Sequence, residues 1–148
     1  MTMTSPDSFD SIPGTTLFDA QQSRKGYWLN QFCMSLMSPA NRARFLADPQ
    51  AYLADWPMSE AQKEAVLTRD LNRLIQEGGN IYFLVKLGAT HGVSVQNMCA
   101  SMTGLTSEEY RDLLLAGGRS IEGNRYVGEE GDAQPHRQPQ GGATKKTF

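Results

Sequence analysis

Histidine and cysteine are scarce in this chain, with two of each among 148 residues. A facial-triad iron site needs two histidines and a carboxylate held rigidly. Here one histidine, His91, sits in a turn, and the other, His136, lies in a Pro/Gly-rich tail that makes it a poor ligand. No HExxH, CxxC or HxH spacing occurs, so zinc is equally unsupported. Cys33 and Cys99 fall on apolar stripes and read as small buried thiols rather than a disulfide. No Gly-rich phosphate loop is present. Ser94 or Ser101 with His91 lacks a nucleophile elbow and an orienting acid, so a hydrolytic triad is set aside.

Other absences narrow the classes further. No apolar run approaches the ~18–20 residues of a membrane span, and MTMTSPDSFD has no basic n-region followed by an apolar core. The net charge of −2 provides neither a nucleic-acid footprint nor a polybasic membrane patch. The expectation is a cytoplasmic protein with no nucleic-acid or membrane partner.

What is there reads as helix. Leu29, Phe32, Cys33, Leu36 and Met37 recur at helical spacing, predicting a helix from about Ser23 to Met37, stopped by Ser38-Pro39. Tyr27 and Trp28 lie at its start, partly off that face, and read either as core or as anchors for a partner. Asn41 to Ala47, with Phe45 and Leu46 inward, and Gln50 to Trp56 form two short helices stopped by prolines. Ser59 with Gln62 makes a capping box. The helix it opens carries Ala65, Val66 and Leu67 and continues through Leu71, Leu74 and Ile75 to a glycine C-cap at Gly78-Gly79.

Asn80 can cap the dense apolar run Ile81 to Leu87, which is expected to be buried. Helix is preferred over strand there, because no second strand-like run is available to pair with it. Val93 to Ala100 is ambiguous. Thr106 with Glu109 forms a second capping box, opening a helix through Tyr110, Leu113, Leu114 and Leu115 that closes at Gly117-Gly118. Glu108 and Glu109 suit the positive end of that helix and need no acid/base role. A helix-turn-helix reading of residues 59–87 fails, since NIYFLVKL would offer a groove one lysine and a row of apolar side chains.

The prediction is an all-α protein. A single helical domain of six or seven short helices spans 12–122, between a flexible segment, 1–11, and a disordered tail, 123–148, too polar to offset its ordering entropy. Such a chain lacks its own catalytic machinery and is built to dock onto something larger.

The blocks IPGT, RKGYWLNQF-MSLM, LADPQAYL-DW, EGGNIYFL-KL, SMTGLTSEEY and GGRS, in this order and spacing, resemble the small (alpha) subunit family of the protocatechuate 4,5-dioxygenases, which are class III extradiol enzymes. The likeness covers roughly residues 11 to 122. It implies a helical chain bound to a larger beta subunit in an α2β2 assembly. In that family the beta subunit holds Fe(II) on two histidines and a carboxylate and supplies the acid/base histidine. The reaction implied is meta-cleavage of protocatechuate by O2 to 4-carboxy-2-hydroxymuconate semialdehyde.

The resemblance places a lid over the partner's active site at Gly92, Ser94, Val95, Gln96 and Asn97, with no metal and no catalytic residue in this chain. Val95 is small, which implies room for a substituted catechol such as gallate. Ser94, Gln96 and Asn97 either hydrogen-bond the substrate carboxylate or cap the helix that follows. Tyr27, Trp28, Tyr82, Phe83 and Met102 are the expected interface. Two other readings stand beside this one. One is a helical interaction module serving a different large subunit. The other is an accessory domain of a fused gallate-type dioxygenase, disfavoured by the initial Met and the loose tail.

Overall fold

The computed structural model describes residues 16–119. Expectations for the N-terminal segment, His136 and the tail from Gly123 lie outside the described residues. Among the described residues there are nine helices and no strand, as the periodicity predicts. They are α1 (Ala20–Lys25), α2 (Tyr27–Ser35), α3 (Pro39–Ala47), α4 (Pro49–Ala54), α5 (Glu60–Leu67), α6 (Leu71–Gln76), α7 (Ile81–Thr90), α8 (Val95–Thr103) and α9 (Ser107–Leu115).

The count exceeds six or seven because two predicted helices are broken. The first break is at Gly26, whose backbone packs directly against Gly78: a Cβ there would lie 1.7 Å from the Gly78 carbonyl oxygen. The second is at Arg69, which adopts φ 54° and separates α5 from α6. Most local signals hold. Both capping boxes form, Ser59 with Gln62 and Thr106 with Glu109. Asn80 caps α7 by accepting from the Tyr82 amide. Gly78, at φ 89°, ends α6 in a left-handed turn in which the Gly79 amide donates to the Leu74 carbonyl at 2.8 Å.

The core gathers around α2. Leu29, Phe32 and Cys33 are fully buried, and Leu36, Phe45, Leu53, Leu74, Leu84 and Leu87 close over them. Phe32, Phe45 and Tyr52 meet edge to face at centroid distances of 5.3 to 6.1 Å, each pair adding ~0.5–1.5 kcal/mol beyond its burial. Burial pushes the Cys33 thiol up to about 12, so it is a protonated packing group. Cys99 is half-buried, and both cysteines are free.

Several side chains expected inside are outside. Met37 and Leu46 are exposed, because α2 ends at Ser35 and because Phe45 alone of the α3 pair faces the core. Tyr82, expected in a buried anchor, is 72% exposed, and Ile81 is also exposed. The apolar run forms a helix to Thr90, and a helix buries one face only: Leu84, Leu87 and Gly88 go in while its first turn looks out.

Two buried amides tie the elements together where Gly26 meets Gly78. Asn30 donates to the Gly78 carbonyl at 3.2 Å and accepts from the Asn80 amide at 3.0 Å, fixing α2 to the start of α7. Gln62 donates to the carbonyls of Lys25 and Glu77 at 3.0 and 2.9 Å while accepting from the Ser59 amide. The ends of α1 and α6 are therefore satisfied by one side chain at the start of α5. Lys25 adds a bond to the Gln76 carbonyl and an ion pair with Glu77.

Candidate functional site

The segment that the sequence singles out, 92–97, is the corner between α7 and α8. Its backbone is fully organised. After the α7 C-cap, His91, Gly92 takes φ 72°, a left-handed value that glycine adopts without strain. The Gly92 amide donates to the Ala89 carbonyl at 3.0 Å, and the Val93 amide to the Gly88 carbonyl at 2.9 Å. Val93 then packs against the core, completing a Schellman-type stop with its apolar contact.

Ser94 is next, and its hydroxyl accepts from the Asn97 amide at 3.2 Å, so it starts α8 as an N-cap. The ambiguous 93–100 stretch is thus a helix start. Val95 is 59% exposed, and Gln96 and Asn97 are exposed beside it. The corner presents one apolar and two amide side chains on a rigid base.

His91 is half-buried with its ring 5.8 Å from that of Phe45. Burial, and secondarily the positive charge of Arg69, lower its basicity, so the imidazole is neutral near pH 7. Among the described residues no three His, Cys, Asp or Glu side chains come together as a metal cluster. No described helix is long and apolar enough to cross a membrane.

The five candidate interface residues divide into two kinds. Tyr27 and Trp28 are exposed and stack edge to face at 5.0 Å, so the pair is not part of the core. Trp28 also walls an open groove with Tyr52, Trp56 and Pro57, across which Arg44 lies 5.2 Å over the Tyr52 ring and pairs with Asp55. Tyr82 is exposed against Phe83 at 5.9 Å, and the Lys86 ammonium sits 5.0 and 5.6 Å from the two rings. Phe83 and Met102 are partly buried against the core.

Sequence reasoning passed over Asn30, Gly88 and Met98, and saw Gln62 only as a capping residue. Gly88 directly follows the predicted helix Ile81 to Leu87; the helix runs on to Thr90, and a glycine inside a helix usually marks close packing. Asn30 reads from sequence as an ordinary polar residue and Gln62 as half of a capping box, and only their tertiary partners distinguish them further.

The family described as "Aromatic-ring-opening dioxygenase LigAB, LigA subunit" matches residues 29–115, from the first turn of α2 to the end of α9. The chain is also 35% identical over 101 residues to a protein named gallate dioxygenase from Pseudomonas putida KT2440. That alignment covers 68% of this chain and spans 30% of the length of the relative. The chain belongs to the LigA small-subunit family of the aromatic-ring-opening, class III extradiol dioxygenases.

Proposed function

We propose that this chain docks on a larger beta subunit that holds Fe(II), in an α2β2 assembly, and covers the active-site mouth of a dioxygenase of the protocatechuate 4,5 type. The observation that carries this reading is the family match, which runs over α2 to α9 and contains the 92–97 corner. The reaction supported is cleavage of a catechol acid beside its hydroxyls. Both atoms of O2 enter the product, so protocatechuate yields 4-carboxy-2-hydroxymuconate semialdehyde.

The described residues of this chain do not fit an iron ion. His91 packs against an aromatic ring, and no other ligand set gathers around it. The chain's contribution is to shape and dry the mouth. Val95 supplies an apolar wall, and Gln96 and Asn97 offer amides to the substrate carboxylate, while the Ser94 hydroxyl is committed to its cap. Excluding water strengthens the electrostatic interactions beneath a lid and protects reactive intermediates. Tyr27, Trp28 and Tyr82, exposed aromatics of the type that anchors interfaces, hold the chain on its partner, together with the partly buried Phe83 and Met102.

Gallate is the second substrate to consider, favoured by the relative of that name and by the small side chain of Val95. Packing against one wall of a pocket discriminates by at most ~1–3 kcal/mol. In the two-chain complex, Val95→Phe is expected to lower kcat/KM for gallate relative to protocatechuate. An unchanged ratio removes the corner from the substrate mouth. The chain purified alone is expected to bind no iron and turn over neither catechol; turnover by the isolated chain would falsify the non-catalytic role.

A further inference from the structure

Gly88 lies in the last turn of α7 and is buried. A Cβ at this position would stand 2.2 Å from Met98 Sδ, 2.8 Å from Cε and 3.0 Å from Cγ. The whole outer half of the Met98 side chain therefore occupies the space a side chain at 88 would take. Met98 is itself 2% exposed and enclosed by the core, which limits where it can swing. Gly88 also contributes its carbonyl to the corner, accepting from the Val93 and His91 amides at 2.9 and 3.0 Å.

On α8, the Met98 amide donates to the Ser94 carbonyl at 3.0 Å, so Met98 closes the first turn, the one that carries Val95, Gln96 and Asn97. The far end of α8 is pinned to α6, where the Asn72 side-chain Nδ2 donates to the Met102 carbonyl at 2.9 Å. A helix fixed at its far end and pushed near its start tilts at its start.

We infer that Gly88 and Met98 form a positioning pair: the missing side chain of Gly88 seats Met98, and that seat sets the height of Val95 and Asn97 over the substrate mouth. This rests on the reading of residues 92–97 as the cover of that mouth. Neither residue touches substrate. They act through the angle between α7 and α8, so the substrate preference of the complex depends on a contact buried beneath the corner.

The test uses the complex with the catalytic subunit and compares wild type, Gly88→Ala, and Gly88→Ala with Met98→Ala. Each is assayed for kcat/KM on protocatechuate and on gallate, with Tm measured alongside. Gly88→Ala is expected to change the ratio of the two kcat/KM values by about threefold or more. The double variant, in which the clashing atoms are gone, should return to within about twofold of wild type although its core is emptier and its Tm lower still. A purely structural role moves Tm and leaves the ratio where it was. An unchanged ratio in Gly88→Ala, or a double variant that does not recover, overturns the positioning role while leaving the functional reading intact. A wild-type complex that cleaves neither catechol overturns both.

Discussion

Gly26 and Gly78 touch backbone to backbone: a Cβ on Gly26 would fall 1.7 Å from the Gly78 carbonyl oxygen and 2.2 Å from its carbonyl carbon. Backbone cannot swing aside as a side chain can, so α2 and the turn before α7 would have to part. Gly26→Ala is expected to cost ~3 kcal/mol or more, at the upper end of overpacking changes. Urea unfolding measures it. A loss below ~1 kcal/mol, within the range of an ordinary surface change, would contradict the contact.

Gln62 sits beside this crossing and serves two carbonyls and one amide from a nearly fully buried position. Gln62→Leu keeps the approximate volume but strands those groups, and is expected to destabilise by ~1–3 kcal/mol. Gln62→Glu should also be destabilising, since a carboxylate cannot donate to the Lys25 and Glu77 carbonyls. If both variants unfold at the wild-type urea midpoint, Gln62 is not the tie described here.

The two capping boxes, the Gly78 stop, Asn80 as a cap and the helical class were legible because each is local chemistry, decided within four or five residues. The breaks at Gly26 and Arg69 were not: the apolar spacing runs on past Arg69 from Leu67 to Leu71, and the contact that breaks the chain at Gly26 is not local. What stops α1 is a backbone 52 residues away in sequence, from Gly26 to Gly78. The same limit applies to the corner. Its residues were named from a family resemblance, but its rigidity comes from the Gly88 carbonyl and the seat for Met98, and neither shows in periodicity.

Tyr82 is mostly solvated, so Tyr82→Ala is expected to cost no more than ~0.5 kcal/mol of stability. The same variant, and Trp28→Ala, should weaken binding to the catalytic subunit by ~1–2 kcal/mol or more each if these aromatics are anchors. Unfolding curves of the free chain and titration calorimetry of the complex separate the two effects. A large stability loss with unchanged affinity would reverse the assignment for Tyr82.

His91 makes stability depend on pH in a definite direction. Its folded-state basicity is lowered from the ordinary value of 6.5, by burial first and by Arg69 second. The unfolded chain therefore binds a proton more readily, and stability rises with pH wherever that difference holds. The contribution is full above about pH 6.5 and is lost as pH falls from there toward the lower folded value. Urea midpoints at about pH 7.5 and pH 5.5 should fall on acidification in wild type and fall less in His91→Gln. Equal falls in both would assign the loss to other groups.

The central claim is that this chain works by covering a catalytic partner, and adding it back to that partner tests it most directly. Oxygen uptake by the iron-loaded large subunit is followed with protocatechuate and with gallate while the purified chain is titrated in. The account predicts little uptake without the chain, a saturable rise to a plateau as the subunits reach equal amounts, and a lower plateau with Val95→Phe on gallate. Full activity of the large subunit alone, unaffected by saturating chain, would contradict it.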